Sequence, residues 1–177
     1  KSGRAFIVPI YSGMYERGGG TTYHKKRQEL ITEWMKDVGR TIDYLETRQD
    51  IDIQNLAYVG LSLGAVFGPR ISIFEKRIKV LVLLAGGLQI PAARPKPQGL
   101  TLPHVKIPVL MLNGKFDYIF PVETAQKPFF ALLGTPPEHK RHILYEAGHS
   151  PLPRVECIRD ILDWLERYQG PSRGRSS

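Results

Sequence analysis

The segment Gly60-Leu-Ser62-Leu-Gly64 has residue types and spacing that suit nucleophilic chemistry. It matches the G-x-S-x-G pattern, in which a serine occupies a sharp turn between a strand and a helix. The glycines permit the turn, and the serine hydroxyl is then held above the sheet at the positive end of the helix dipole. An apolar strand-like run precedes the segment and a helix-like run follows it. This context favours a nucleophile over a glycine-rich turn with a solvated serine.

A serine nucleophile needs a base to take its proton, and that base is commonly a histidine held by a carboxylate. Asp117 and His149 each come just past a predicted strand, as Ser62 does. The carboxyl ends of parallel strands meet at one edge of a sheet, where open α/β sheets build their sites. We therefore expect Ser62, Asp117 and His149 to form one site.

Alternatives exist for the acid and for the base. Asp117 could instead make a hydrogen bond within its own turn, and His149 could cap the loop that follows it. Asp160 and Asp163 are rival acids, but both lie on the last predicted helix rather than at a strand end.

Strand-like and helix-like segments alternate along the chain. Short continuous apolar runs predict strands, and these runs are residues 5–11, 56–60, 79–85, 107–113 and 141–145. Apolar residues at three- and four-residue steps predict helices, and these segments are residues 22–48, 63–75, 122–133 and 154–168. Continuous apolar runs indicate strands that are buried on both faces. The pattern predicts an α/β fold: a mostly parallel sheet with helices on both faces.

Prolines and glycines mark the boundaries of these elements. Pro69 lies inside the second predicted helix, where a proline costs about 3 kcal/mol or a kink, and Pro128 interrupts the third. Pro153 suits the first turn of the last helix. One apolar stripe of that helix is expected to face the core: Val155, Ile158, Ile161, Leu162 and Leu165. Residues 12–21 and 86–104 predict loops, and a loop as long as the second is typically a functional lid.

Composition excludes several classes of protein. The chain has 177 residues, of which 42% are apolar and 24% charged; this is enough for about one domain and rules out a disordered chain. No apolar run approaches the roughly 18 residues of a membrane span, and no signal peptide precedes the first predicted strand. We expect a cytoplasmic protein with no membrane partner. Its lone cysteine, Cys157, excludes a disulfide framework.

The net charge of +8 comes partly from two basic clusters, residues 24–27 and 139–142. A basic patch can attract nucleic acid, but neither cluster has aromatic residues between its charges to stack bases. We therefore expect no nucleic-acid partner. The histidines of the second cluster flank the start of a strand, and no carboxylate is spaced to complete a metal site with them. We expect no metal and no cofactor.

The motifs resemble those of the α/β-hydrolase superfamily, near its dienelactone hydrolase and prolyl-oligopeptidase branches. The residues that carry the resemblance are Tyr58-Val-Gly-Leu-Ser-Leu-Gly64, Leu112-Asn-Gly-Lys-Phe-Asp-Tyr-Ile-Phe-Pro121 and Glu146-Ala-Gly-His149. That superfamily orders its triad as serine, acid and histidine. The resemblance implies that Ser62 is the nucleophile, Asp117 the orienting acid and His149 the general base. It also implies that the backbone N–H of Leu63 is one donor of the oxyanion hole.

Two further segments look like the hydrolase domain at the C-terminus of some bacterial serine/threonine protein kinases. They are Arg4-Ala-Phe-Ile-Val-Pro-Ile-Tyr-Ser-Gly-Met-Tyr-Glu-Arg17 and Trp34-Met-Lys-Asp-Val-Gly-Arg-Thr-Ile-Asp-Tyr-Leu-Glu-Thr-Arg48. This similarity spans about residues 1–170 and leaves residues 171–177 as a flexible tail. The sequence contains no H-R-D or D-F-G tripeptide. A kinase domain would therefore belong to the rest of the parent polypeptide, upstream of Lys1.

In the fold that this resemblance implies, residues 5–11 correspond to the fourth of eight strands. The first three strands, and the loop that supplies the second oxyanion donor, would lie before Lys1. We therefore expect residues 1–170 to be the C-terminal part of an α/β-hydrolase domain that lacks its N-terminal strands. Loss of one oxyanion donor typically costs about 10²–10³ in rate, so the fragment alone is expected to be poorly active. The resemblance also places a missing strand between residues 5–11 and 56–60, and its absence would leave backbone groups unpaired, so the fragment is expected to be poorly stable.

The resemblance implies a serine hydrolase of the esterase type, which cleaves the acyl bond of a small-molecule ester through an acyl-enzyme. Aromatic residues on predicted loops at the catalytic end are candidates for the acyl pocket: Tyr11, Tyr15, Tyr118 and Phe120. The alternative is a non-catalytic hydrolase-fold module, kept for binding or regulation in a multidomain protein kinase, because a fold does not determine a function.

Overall fold

The computed structural model describes residues 3–18, 27–88 and 100–171. The chain divides into two compact units, one spanning Gly3–Gln54 and the other beginning at Asn55. Five sequence predictions fall partly outside the described residues. They are the end of the loop at 12–21, the first residues of the helix at 22–48, most of the basic cluster at 24–27, most of the loop at 86–104 and, except for Pro171, the tail at 171–177.

The first unit contains helix α1, Arg27–Glu46. The apolar spacing that predicted it is reflected in four buried side chains: Ile31, Val38, Ile42 and Leu45. Polar side chains of α1 also hold the loop before it. The backbone N–H of Ser12 donates to the Asp37 carboxylate at 2.8 Å, and the Ser12 hydroxyl donates to the Glu33 carboxylate at 2.7 Å.

The strand predicted at residues 5–11 is wrong. These residues have no strand conformation in the structure, and the side chains of Phe6 and Val8 are 78% and 69% exposed. An apolar run becomes a strand only when another strand supplies ladder hydrogen bonds, and Pro9 within this run has no N–H to contribute. The correspondence of residues 5–11 to a fourth strand therefore finds no support in the structure.

A parallel sheet of four strands forms the centre of the second unit. Its strands are β1 (Leu56–Leu61), β2 (Ile78–Leu84), β3 (Val109–Gly114) and β4 (Lys140–Tyr145), and their order in the sheet equals their order in the chain. All three pairings are parallel. All four carboxyl ends therefore meet at one edge of the sheet, and β2 and β3 are buried almost throughout.

Helices α2 (Leu63–Phe74) and α4 (Arg154–Gln169) cover the two faces of this sheet. The short helix α3 (Lys127–Leu132) lies between β3 and β4 in the chain. On one face, Gly68 of α2 lies against Leu83, so closely that a Cβ would come within 2.8 Å of the leucine. On the other face, Trp164 of α4 packs in a cluster with Val82 and its neighbours. Adjacent residues of a strand point to opposite faces of the sheet. Because α2 packs on Leu83 and α4 packs on Val82, the two helices lie on opposite faces. The predicted fold class is confirmed.

The predicted apolar stripe of α4 is wrong in its N-terminal half. Val155 and Ile158 are exposed, whereas Cys157 and Trp164 are buried. Apolar side chains occur on more than one face of this helix, and the contact with the sheet decides which face is covered. The residues that pack there include Cys157, Ile161, Trp164, Leu165 and Tyr168.

The two helices that contain prolines behave differently. Helix α2 continues through Pro69, which is buried within it. The helix predicted at 122–133, with an interruption near Pro128, is a π-helical turn, Val122–Gln126, followed directly by the short α3. Pro128 lies in the first turn of α3 and has no N–H to donate to the preceding turn. Among the described helices, none is both long and apolar enough to cross a bilayer.

Candidate active site

Ser62 occupies a strained turn between β1 and α2. Its backbone angles, φ 51° and ψ −107°, lie outside the regions that a non-glycine residue normally adopts. The surrounding backbone holds this conformation. The Ser62 N–H donates to the Leu84 carbonyl at 2.8 Å, and the Ser62 carbonyl accepts the N–H of Val66 at 3.0 Å. The turn thereby places the serine at the carboxyl edge of the sheet.

The two glycines of the G-x-S-x-G segment are not equivalent. A Cβ on Gly60 would lie 2.5 Å from the carbonyl carbon and oxygen of Gly64, so only glycine fits where the turn closes on itself. On Gly64, the nearest atom to a Cβ would be the Tyr58 hydroxyl oxygen at 3.4 Å. That hydroxyl donates to the Gly64 carbonyl at 3.1 Å. Of the two glycines, Gly60 is therefore the one whose position leaves no room for a side chain.

The His149 ring joins the three predicted site residues into one hydrogen-bonded chain. Its Nε2 lies 2.9 Å from the Ser62 Oγ, and its Nδ1 lies 2.9 Å from the Asp117 Oδ2. With the proton on Nδ1, the ring donates to the carboxylate and accepts the serine O–H. The side chain of Asp117 is fully buried and that of His149 is 15% exposed. The hydrogen-bonded series therefore runs from the buried Asp117 through His149 towards the surface at Ser62.

Both carboxylate oxygens of Asp117 are occupied. While Oδ2 faces His149, Oδ1 accepts the backbone N–H groups of Ile119 and Phe120, each at 2.9 Å. The turn bond that was the alternative role for Asp117 is thus present together with the contact to His149. The rival Asp160 is engaged elsewhere, because its carboxylate accepts the Tyr145 hydroxyl at 2.6 Å.

The loops that carry Asp117 and His149 continue the pairing of β3 with β4. The N–H of Lys115 donates to the Tyr145 carbonyl at 2.8 Å, and the N–H of Phe116 donates to the Ala147 carbonyl at 2.9 Å. The side chains of Lys115 and Glu146 form an ion pair between the same loops. The acid and the base are therefore held in register by one continuous backbone ladder.

Leu63 is the first residue of α2. Its N–H is one of those that a helix leaves without an intrahelical acceptor, and it lies next to the serine at the positive end of the helix dipole. Its role as an oxyanion donor stays a prediction.

The four aromatic pocket candidates have different surroundings. The Phe120 ring lies 5.8 Å from the His149 ring and is buried, whereas Tyr118 is exposed on the same loop. Tyr11 and Tyr15 belong to the first compact unit. There the Tyr11 ring lies 5.9 Å from that of Trp34, and Tyr15 is exposed.

Sequence reasoning missed two buried polar residues beside the site. Gln126 Nε2 donates to the carbonyls of Gly114 and Phe120 at 3.0 and 2.7 Å, and Asn113 Nδ2 donates to the Gly86 carbonyl at 2.8 Å. Both side chains are fully buried. The available signal was an amide residue at an otherwise apolar position of a predicted strand or helix.

The histidines considered as metal ligands are not brought together. His139 Nδ1 lies 3.0 Å from the Tyr168 hydroxyl, while the ring of His142 lies 5.5 Å from that of Phe130. Within the described part of the chain, no group of three His, Cys, Asp or Glu side chains is placed to hold a metal ion.

Three buried or partly buried side chains of the second unit have shifted pKa values. Burial, with the nearby charge of Lys127, lowers the pKa of His142 to about 4. Burial, with the hydrogen bond to Asp160, raises the pKa of Tyr145. Burial also raises the pKa of the Cys157 thiol, which makes this cysteine a poor nucleophile at neutral pH.

Comparison with known proteins identifies the fold. No family model and no curated protein matches the chain. Among solved structures, it is similar to a cold-adapted esterase from an Arctic intertidal metagenomic library, with a TM-score of 0.64 and 22% identity over 79% of this chain and 62% of that one. It is similar to a monoacylglycerol lipase of Paleococcus ferrophilus, with a TM-score of 0.61 and 18% identity over 78% of this chain and 76% of that one. A proposed dienelactone hydrolase of Klebsiella pneumoniae matches with a TM-score of 0.62 and 20% identity, over 87% of this chain and 72% of that one.

These similarities show that the chain has an α/β-hydrolase fold. At sequence identities of 22% and below, these similarities show the fold of this chain but not a reaction that it catalyses. The chain spans 62% of the length of the esterase in its zinc-bound structure and 63% in its native one.

Proposed function

We propose that this chain carries the catalytic residues of a serine hydrolase that cleaves small-molecule esters. The observation that supports this most strongly is the hydrogen-bonded chain from Ser62 through His149 to Asp117, with both distances at 2.9 Å. Such a chain supplies a nucleophile, a base in reach of it and a group that orients the base, which is the general arrangement for covalent catalysis by a hydroxyl.

In the proposed mechanism, His149 Nε2 takes the proton of Ser62 as the Oγ attacks the ester carbonyl carbon. The resulting tetrahedral intermediate collapses to an acyl-serine, and His149 returns the proton to the leaving alkoxide, which departs as an alcohol. Water then attacks the acyl-serine with His149 again as base, which releases the acid and restores Ser62. Asp117 holds the ring in the tautomer with the proton on Nδ1.

The oxyanion of each tetrahedral intermediate would accept the N–H of Leu63. This donor is preorganised because it belongs to the first turn of α2, and a preorganised donor stabilises developing charge without reorganisation. No cofactor takes part in the proposal.

Phe120 is the best supported of the candidate pocket residues, since its ring lies 5.8 Å from that of His149. It would contact the acyl or alcohol group next to the base. Tyr11, Tyr15 and Tyr118 remain predictions as residues of an acyl pocket.

The finer assignment, to hydrolase domains attached to bacterial serine/threonine protein kinases, remains a prediction from the quoted segments. It would make the rest of the parent polypeptide a partner of this chain. Residues 1–170 as the C-terminal part of one hydrolase domain, and a cytoplasmic location, are proposals of the same kind.

Labelling with a fluorophosphonate, which reacts with activated serines, tests the proposed function on residues 1–177. We expect one label, mapped by peptide mass to the segment that contains Ser62 and absent in Ser62→Ala. The matched control is Ser72→Ala in α2, the helix that follows Ser62, because the Ser72 hydroxyl donates to the Pro69 carbonyl of its own helix at 2.9 Å. A folded chain that takes no label even when the incubation is lengthened about 10³-fold, to allow for a missing oxyanion donor, or that labels equally in Ser62→Ala, would favour the non-catalytic module.

A further inference from the structure

Gln126 spans the loop that presents Asp117. Its side chain is fully buried, and its Nε2 donates to the carbonyl of Gly114 at 3.0 Å and to that of Phe120 at 2.7 Å. These two carbonyls lie on either side of Asp117 in the chain. One amide group therefore ties the two ends of the loop together from the inside.

The two hydrogen bonds from Gln126 affect the orientation of the Asp117 carboxylate. Its Oδ1 accepts the N–H groups of Ile119 and Phe120, so the direction of Oδ2 depends on where the C-terminal half of the loop lies. The backbone ladder through Lys115 and Phe116 holds only the N-terminal half. In the other half, the Phe120 carbonyl accepts a hydrogen bond from the Gln126 side chain, which lies outside the loop.

The chemistry required at this position is that of a double donor. A glutamine amide has two N–H groups, and here both face carbonyl oxygens. The Gln126 Oε1 is buried and has no hydrogen-bond partner among the described residues. The local backbone also suits this role, because the Pro121 carbonyl accepts the N–H groups of both Ala125 and Gln126, at 2.9 and 3.2 Å, in the π-helical turn.

We propose that Gln126 is a positioning residue for the serine hydrolase reaction, and that its two hydrogen bonds aim the Asp117 carboxylate at His149 Nδ1. This inference rests on the proposed function for its effect on rate. The geometric part, the state of the hydrogen bond between Asp117 and His149, can be measured without turnover.

The first experiment compares Gln126→Met with the wild-type chain. Methionine has a similar length and no hydrogen-bond donor, so both hydrogen bonds are lost while the volume of the side chain is nearly unchanged. Misplacement of a catalytic group by about 1 Å costs on the order of 10² in rate. We therefore expect kcat for a soluble ester to fall about 10–100-fold with KM nearly unchanged, since the fully buried Gln126 side chain is not exposed for contact with a substrate. The strongly deshielded proton NMR signal of His149 Nδ1–H should broaden or vanish, as it should in Asp117→Asn.

Thr135→Val is the matched control. The Thr135 hydroxyl is also buried and also bonds backbone carbonyls, those of Ile107 at 2.8 Å and Val105 at 3.3 Å. Its loss should lower the melting temperature to a similar extent, yet kcat and the deshielded proton signal should remain as in the wild type. If Gln126→Met keeps both wild-type kcat and the wild-type signal, or if Thr135→Val loses both, Gln126 is a general packing residue and the inference is overturned.

Gln126→Glu gives an independent readout and a substitute if Gln126→Met does not fold. When neutral, the introduced carboxyl group can donate one hydrogen bond, whereas its ionised form faces two carbonyl oxygens with no donor. Burial raises the pKa of a carboxyl group, so the ratio of the variant's kcat/KM to that of the wild type should fall as pH rises. Circular dichroism at each pH follows the folded fraction. A ratio that stays flat while the chain stays folded contradicts the inference.

The two proposals fail separately. If Ser62→Ala hydrolyses esters like the wild type, the proposed function fails, and the proton signal still decides whether Gln126 positions Asp117. If Ser62→Ala is inactive but Gln126→Met turns over normally, the proposed function stands and the positioning role fails.

Discussion

Gly114 and Gly148 bring the acid loop and the base loop into backbone contact. A Cβ on Gly114 would lie 2.0 Å from the Gly148 carbonyl oxygen and 2.3 Å from that of Ala147. Gly114 ends β3 just before the Asp117 loop, and Gly148 directly precedes His149. The closeness of the two loops, and thus the hydrogen bond between Asp117 and His149, requires a residue without a side chain at position 114.

Gly114→Ala should therefore separate the two loops. We expect a loss of stability of about 1–3 kcal/mol, typical of overpacking, and a fall in kcat of at least about 10²-fold because the acid and base lose register. Chemical denaturation and ester hydrolysis measure the two effects. Gly148→Ala is the matched control, since a Cβ there would have its nearest neighbour, the Phe116 carbonyl oxygen, at 4.0 Å. Equal effects of both substitutions would contradict the steric argument.

Backbone strain at Ser62 predicts an unusual order of stability. With φ at 51° and ψ at −107°, glycine fits this position better than alanine, and strain of this kind is of order 1–3 kcal/mol. Ser62→Gly should thus be more stable than Ser62→Ala by about 1 kcal/mol in urea unfolding. In the interior of α2 the order should reverse: Ser72→Gly should be less stable than Ser72→Ala by about 0.5–1 kcal/mol. The same order at both positions would show that Ser62 is not strained in solution.

Substitution of the two candidate acids separates their roles. Asp117→Asn should lower kcat by roughly 10³–10⁴-fold, because an amide does not hold the imidazole in the productive tautomer as a carboxylate does. Asp160→Asn removes the charge of a carboxylate that accepts the Tyr145 hydroxyl and pairs with Arg159, so it should lower the melting temperature and leave kcat within about twofold. Steady-state kinetics on both variants test this. A larger kinetic effect at Asp160 would reverse the assignment.

Burial of His142 predicts acid sensitivity of the fold. Burial and the charge of Lys127 lower the pKa of His142 from 6.5 to about 4 in the folded chain. Between these pH values the unfolded state binds the proton and the folded state does not, so stability falls as pH decreases from about 6.5 to 4. A shift of this size corresponds to at most about 3 kcal/mol.

His142→Phe should remove this component of the pH dependence. Its Nε2 is buried without a hydrogen-bond partner among the described residues, and its ring lies beside that of Phe130, so an apolar ring can replace it. Urea unfolding at pH 4.5 and pH 7 measures the effect. The expected result is a smaller loss of stability on acidification than in the wild type, and an unchanged loss would contradict the assignment.

Local sequence determined the second unit of this protein to a large extent. Strands β1 to β4 and helices α2 and α4 are within one or two residues of their predicted bounds. Strands of a parallel sheet are buried on both faces, so each reads as an apolar run whose identity does not depend on its neighbours. The turn at Ser62 and the loops at Asp117 and His149 follow directly from those strands. Their meeting at one edge could be predicted, while their catalytic roles stay a proposal.

Tertiary structure alone decided the features that depend on a partner. Residues 5–11 have the composition of a strand but no ladder, and Val155 and Ile158 have the composition of a core but are exposed. The donation by Gln126 to two distant carbonyls has no local signature either. The apolar character of a side chain indicates that its burial stabilises the fold. Which surface covers that side chain depends on segments remote in sequence, and so does the polar group that must then hydrogen-bond to the buried backbone. Such contacts exist only once the chain has folded around them.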